Sequence, residues 1–558
     1  MLDVTARSMR GRVCVYTRND AAVQTPAVMQ TCRDAAGDMH IRVSDSGRTF
    51  VAMGDEAPLD QKLRYPAVRG RGDVTPYGSI AVIRLPFEEG CMIPEGTEIA
   101  VIANAYELRG DPRKAVSQIS AIRESAGNGV ILAAPGLAEP STLAMYSYMG
   151  IDVFDDSLPR VLGAEGIETM SEGNADRGID SVHENIAEMG RECAKVRTFT
   201  ASGRLRELAD QRAPSSPSSV ALLRIFDDVC YGYQEEMTPV TGTRFSCNTT
   251  QSLMRPDVLR YRKAIMERYE KPAHKRVLLL LPCSARKPYH KSKTHKMFSS
   301  AIHTAGHDTV VHEVILTSPL GMVPRELDVF YPANSYDIPV TGQWKCQERE
   351  FIRELFSRFL SFGYDEVVSH LGSSHDLIGD MADIIDTVVD DDPTSQASLE
   401  LLDNTLREIT RDMPSGEYMT DRKESVRAVL TFQFGKSVAD RIMDEDTFAI
   451  GKYPYWKIMR GKTQLGMLSE ERGMISLTMD GAGILASMGI NVVDIQRFDL
   501  KGSLFAVGVK SADHNIRAGD EAVVMTEGEV IAVGVAQMCG KEMEEMSRGI
   551  AVKIRHRK

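Results

Sequence analysis

The chain has 558 residues, 43% of them hydrophobic and 26% charged, with a formal net charge of −12. These values exclude wholesale disorder and a surface coated in positive charge, and they leave room for three to five domains of roughly 100–200 residues each. The nine cysteines form no CxxC pair, and the start MLDVTARSMRGRVCVYT is interrupted by charge. Reduced thiols in a cytoplasmic protein are therefore expected, without a signal peptide or a membrane span.

From residue 78 to residue 159 strand and helix patterns alternate. EIAVIANAYEL reads as a strand with its exit loop, and DPRKAVSQISAIRES as a helix opened by Asp111 with Pro112 behind it. GVILAAPG, the helix STLAMYSYMG and the strand IDVFDD continue the pattern, which predicts parallel strands in an α/β barrel or a layered sheet. Residues 172–197 are polar and weakly patterned, and APSSPSS reads as a loop or linker. A second α/β region begins near Pro272, with strands KRVLLLL, HEVILTSP and DEVVSHLG and helices FSSAIHTAG and QEREFIRELFSRFL between them. That order predicts a doubly wound sheet with its active loops beyond the strand ends. A helical tract, DRKESVRAVLTFQFG, and short strands at WKIMR, LGMLS and MISLTM follow, and from Asn491 short strands predict a small β-barrel.

KGSLFAVGV, IRAGDEAVV, VIAVGVAQM and RGIAVKIRHRK resemble the PUA domain, a compact RNA-binding barrel. The resemblance, with the basic tail, implies an RNA-contacting set of Lys501, Gly502, Arg517, Arg548, Lys553 and Arg555. NAYELRGDP, PGLAEPSTLAMYSYMGIDVFD, RLRELADQRAPSSP and SLMRPDVLRYR resemble archaeal tRNA-guanine transglycosylase. That likeness implies a degenerate (β/α) barrel with Asp155 at the position of the family's aspartate nucleophile. The family's zinc cluster has only Cys193 and His183 as counterparts, so no metal is expected. Asp45-Ser46-Gly47 matches the family's second aspartate motif in letters but sits too soon after Thr25-Pro26 for a complete barrel.

The densest chemical text is PCSARKPYHKSKTH, directly after KRVLLLL. It resembles the PC-x3-KPY-x2-S-x2-H signature of archaeosine synthase through Pro282, Cys283, Lys287, Pro288, Tyr289, Ser292 and His295. TSPLGMVPRELDVFYPANSYDIPVTGQW, with Arg325 and Glu326 at its centre, resembles the same family's second signature. The resemblance implies addition of the side-chain amine of free lysine to the nitrile of 7-cyano-7-deazaguanine in the tRNA D-loop. It also implies a radical SAM partner that splits the adduct, no cofactor on this chain, and is compatible with a homodimer.

The residues suit such chemistry. Cys283 is a candidate nucleophile, with Lys287, Lys291 and Lys293 near enough in sequence to tune it. His295 is a candidate proton carrier, and Tyr289 and Ser292 are candidate hydrogen-bond donors. Arg325 is expected to hold the carboxylate of lysine and Glu326 or Asp337 its α-ammonium, with Pro282, Ser284, Pro288 and Ser318 lining the substrate. The expected division is 1–270 transglycosylase-like, 271–412 catalytic core, 413–486 a small α+β domain and 487–558 PUA. The competing readings are a true transglycosylase acting through Asp155 and a noncatalytic tRNA-binding subunit.

Overall fold

The computed structural model describes the chain apart from residues 19–20, 34–38, 46–47, 53–71, 340–342, 415 and 499. Ser46 and Gly47, the end of the second aspartate motif, lie outside the described residues. The chain opens with an antiparallel sheet of Leu2–Ser8, Gly11–Arg18 and Ala21–Thr25. An eight-stranded sheet follows, in the order Arg48–Ala52, Met39–Asp45, Ala27–Arg33, Val153–Asp155, Ile131–Ala133, Ile99–Ile102, Ile80–Arg84 and Asp73–Tyr77. Its five middle strands are parallel. Its two edges are different strands, so among the described residues the sheet stays open where a degenerate barrel was expected.

Local signals explain the crossover helices. Asp111 accepts from the Lys114 N–H at 3.0 Å and caps Pro112–Ala126, whose Val116, Ile119 and Ile122 face the core. Two segments depart from the expectation. Residues 172–197 contain most of a twenty-residue helix, Val182–Ala201. Its apolar stripe is only Met189, Cys193 and Val196, completed by buried Asn185 and Thr200, and so thin a stripe is masked by the polar residues around it. The Ser/Pro run is not a linker: Ser216 accepts from the Ser219 N–H at 3.1 Å and caps Pro217–Val229.

Buried charges tie the first two sheets together. Asp152 receives Arg12 at 2.8 Å and Arg123 at 2.6 Å, all three being buried. Burial alone would raise the Asp152 carboxyl, but Arg12 and Arg123 more than reverse this and hold it below its ordinary value. A depressed carboxylate stabilises the fold above its unfolded value of about 4 and stops doing so as pH falls through the folded one. Asp152→Asn should therefore lower the urea midpoint markedly at pH 7, and the gap to wild type should narrow as pH falls below about 4. A gap that is independent of pH would show that the charge contributes nothing.

The central sheet has the order Gly321–Pro324, Val311–Thr317, Val277–Pro282, Glu366–Ser369 and Ile385–Asp386, parallel except for the first strand. Val277–Leu281 is wholly buried because successive side chains enter different cores. Val277, Leu279 and Leu281 meet Phe298 and Ile302 of helix Lys293–Ala305 and Leu402 and Leu406 of helix Gln396–Thr410. Leu278 and Leu280 join the core of Ile352, Leu355 and Phe356 from helix Cys346–Leu360. With both faces covered, the strand's C-terminal end is where side chains can reach a ligand.

Helix Tyr418–Phe434 and a four-stranded antiparallel sheet, Thr447–Lys452 to Met474–Leu477, pack against this core. The C-terminal sheet has the order Leu504–Phe505, Ile550–Arg557, Glu529–Ala536, Glu521–Thr526, Val492–Ile495 and Val509–Ala512. Four of its side-chain contacts to the rest involve carboxylates. Glu545 accepts from the Asn128 backbone and side chain at 2.7 Å, Glu542 pairs with Arg7 at 2.5 Å, and Arg517 pairs with Glu235 at 2.7 Å. Buried Glu521 accepts from Arg555 at 2.9 Å, from Arg472 at 3.4 Å and from the Leu477 N–H at 2.8 Å. Among the described residues no helix is long and apolar enough to cross a membrane.

Candidate active site

The loop after Val277–Pro282 turns through Cys283 and Ser284, whose hydroxyl donates to the Arg286 carbonyl at 3.0 Å, and then a cis Lys287–Pro288 bond. A 3₁₀ turn, Tyr289–Lys291, leads to Ser292, which accepts from the His295 N–H at 3.1 Å and starts helix Lys293–Ala305. Ser292 is thus the helix cap, which its position three residues before His295 fits.

Tyr289 is fully buried and has loop side chains around it. On one flank its hydroxyl meets Tyr336 and, at 3.2 Å, Thr317. Lys287 Nζ lies 4.0 Å from the Tyr336 ring centre. Burial pushes the Lys287 ammonium below its ordinary value, opposed by Cys283 and Asp337 and reinforced by Arg244. Half-buried Cys283 therefore has a cation beside it. Of the three lysines expected near the thiol, Lys287 interacts with Cys283, whereas Lys291 pairs with Glu470 and Lys293 is exposed.

On the other flank the Tyr289 and His295 rings are 5.2 Å apart. His295 is buried, and its Nδ1 accepts from Arg325 at 2.8 Å, so Nε2 carries the hydrogen. Nε2 faces the Pro282 carbonyl without reaching a hydrogen bond. Burial and the Arg325 charge push this imidazole down to about 3. Burial and Arg325 thus favour the neutral form of His295.

Two substrate-binding candidates are engaged within the protein. Arg325 is committed to Glu313 at 2.7 Å and Asp328 at 3.3 Å as well as to His295, leaving it no fork for a ligand carboxylate. Glu326 is buried and accepts from Tyr269 at 2.5 Å, with His312 3.6 Å away. These partners outweigh the effect of burial and hold its carboxyl low, so its charge serves the core. The Ser318 hydroxyl donates to Glu348, whereas Asp337 is 45% exposed and pairs with Arg244 at 2.7 Å. A cavity of about 430 Å³ opens behind His295, walled by His290, Glu313, Arg325, Tyr453 and Trp456, and neither Cys283 nor Lys287 lines it.

Sequence reasoning missed Arg244, Thr317, Tyr336 and Asp328. Arg244 arrives with Phe245–Ser246, which pairs in parallel with Tyr336–Asp337 across about ninety positions of chain, and no local pattern marks it. Asp328 accepts from the His290 N–H at 2.8 Å, and its only signal was its nearness to Arg325.

Elsewhere, Asp155 ends its strand with the carboxyl buried, accepting from the Gly136 N–H at 2.7 Å and pushed up to about 6 by burial. Cys193 donates to the Pro26 carbonyl at 2.9 Å, and among the described residues no group of three or more His, Cys, Asp or Glu could hold a metal ion. Of the six RNA-contacting candidates, Arg517 and Arg555 are paired with Glu235 and Glu521, while Lys501, Gly502, Arg548 and Lys553 are exposed.

Residues 258–406 match the family described as a domain of unknown function, DUF5591, and residues 496–558 match the PUA domain. The chain is 32% identical over 505 residues to archaeosine synthase subunit alpha of Methanosarcina acetivorans, covering 82% of this chain and 80% of that one. Archaeosine synthase of Haloferax volcanii is 30% identical over 499 residues, with 83% and 82% covered. The tRNA-guanine(15) transglycosylase of Methanobrevibacter smithii is more distant, 25% identical over 468 residues, with 75% and 65% covered. A crystal structure described as a protein of unknown function covers 53% of this chain and 98% of its own at 27% identity, with a TM-score of 0.41. With identity of this order sustained over four-fifths of both sequences and a PUA domain at its end, the chain belongs to the archaeosine synthase family of tRNA modification.

Proposed function

We propose that the chain joins the side-chain amine of free lysine to the nitrile of 7-cyano-7-deazaguanine in the tRNA D-loop, giving an amidine-linked adduct. The observation that carries this is the half-buried Cys283 thiol at the end of a buried parallel strand with the Lys287 amine beside it. The Cys283 thiolate adds to the nitrile carbon, forming a C–S bond, while Lys287 gives its proton to the nitrile nitrogen. Lys287, now neutral, takes a proton from the substrate's side-chain ammonium. Its depressed proton affinity favours the first transfer. The freed amine attacks the thioimidate carbon, the C–S bond breaks, and the thiolate and the protonated Lys287 are restored. One nitrile and one alkylammonium become one amidinium, with no redox step and no cofactor.

In this reading Tyr289, Tyr336 and Thr317 hold the loop and offer hydroxyls beside the thiol. Lys501, Gly502, Arg548 and Lys553 contact tRNA phosphate. A radical SAM partner takes the adduct onward, in keeping with the name "subunit alpha" carried by the relatives from Methanosarcina acetivorans and Thermoplasma acidophilum. Protein, tRNA bearing the nitrile base and labelled lysine are incubated and the nucleosides weighed. The expected product is the nitrile nucleoside plus the mass of one lysine. Exchange of free base in its place would establish transglycosylation, and no change of either kind would establish a binding subunit.

A further inference from the structure

Of the charged groups around Cys283, one pair has no structural task. Arg244 and Asp337 meet at 2.7 Å with 70% and 45% of their side chains in solvent. An ion pair so exposed contributes at most about 1 kcal/mol to the fold. Its backbone is fixed all the same: Phe245 donates to the Ser335 carbonyl at 3.1 Å and Cys247 to the Asp337 carbonyl at 2.7 Å, which sets the two side chains abreast. Lys287, on the reactive loop, has its Nζ 4.0 Å from the ring centre of Tyr336, the residue before Asp337, so the pair stands close to the loop that carries Cys283. Arg325 and Glu326, by contrast, are fully engaged inside the protein.

We infer that Arg244 and Asp337 form a clamp for the zwitterionic end of the amino acid that donates the amine, Arg244 taking the α-carboxylate and Asp337 the α-ammonium. An Arg–carboxylate pair that neutralises itself when empty opens to a ligand presenting the same two charges, exchanging one ion pair for two. The other end of the donor is then directed to Cys283 and Lys287. The inference rests on the amine-donor reading above.

The test compares kcat/KM for lysine, cadaverine (no carboxylate) and 6-aminohexanoate (no α-amine), with saturating nitrile tRNA. Wild type is expected to prefer lysine over cadaverine by about a hundredfold, the effect of about 3 kcal/mol from a charge-assisted bidentate contact. Arg244→Gln should bring that ratio near one through KM for lysine, while leaving cadaverine almost untouched, and Arg244→Lys should restore part of it. Asp337→Asn should erase the preference over 6-aminohexanoate. If Arg244→Gln lowers all three donors equally, or raises KM for tRNA in place of lysine, the clamp is refuted while the amine-donor reading stands. A wild-type enzyme that uses none of the three refutes that reading, and the clamp falls with it.

Discussion

Cys283→Ala should reduce formation of the lysine adduct by about a thousandfold or more, with tRNA affinity unchanged. Removing a covalent nucleophile leaves only the rate provided by positioning, which is why such losses are large. Here the neighbours survive the substitution. Tyr289, Tyr336 and Thr317 hold one another, and Ser292 still caps its helix. The variant therefore tests chemistry and not folding. Single-turnover rates give the magnitude. Intact mass of wild type mixed with nitrile tRNA in the absence of lysine should show protein joined to RNA, a species missing from the variant. Turnover within tenfold of wild type would mean that lysine attacks the nitrile directly.

The largest stability effect is expected at Arg206. This fully buried guanidinium donates to Asp227 with two nitrogens at 2.7 Å and to Asp210 at 3.0 Å. Truncation to alanine strands two carboxylates without solvent, a loss of about 3–5 kcal/mol. The damage should spread toward the active site, since Gln251 donates to Asp227 and Ser252 to Asp210 at 3.3 Å, in the segment that follows Phe245–Ser246. Urea midpoints read the effect. Replacing all three partners with apolar residues of similar volume should recover much of it, and a shift below 1 kcal/mol for Arg206→Ala would show that the carboxylates find other partners.

The sequence displayed what is decided locally. KRVLLLL reads as a buried strand because five apolar residues in a row fit a sheet covered on both faces, and Val277–Pro282 is that strand. The reactive loop was legible because its chemistry is contiguous from Cys283 to His295. What could not be read is how that loop's side chains are partnered. Lys287 lies over the Tyr336 ring, and the partner of His295, Arg325, lies thirty positions away. A charge on paper is equally available to a substrate or to the core. Only packing shows that Glu326 belongs to Tyr269 and His312 while Asp337 faces water. The helix Val182–Ala201 was hidden for the opposite reason, too few apolar residues to announce its period.

The fastenings of the C-terminal barrel have a mechanical result. Glu542 and Glu545 grip the first sheets, Arg517 the helical middle and Glu521 the small domain, so the barrel is held from three sides. It cannot swing as a tethered hand would. On the proposed reading, tRNA phosphates seated on it stand at a set span from Cys283, and the flexing is left to the nucleic acid.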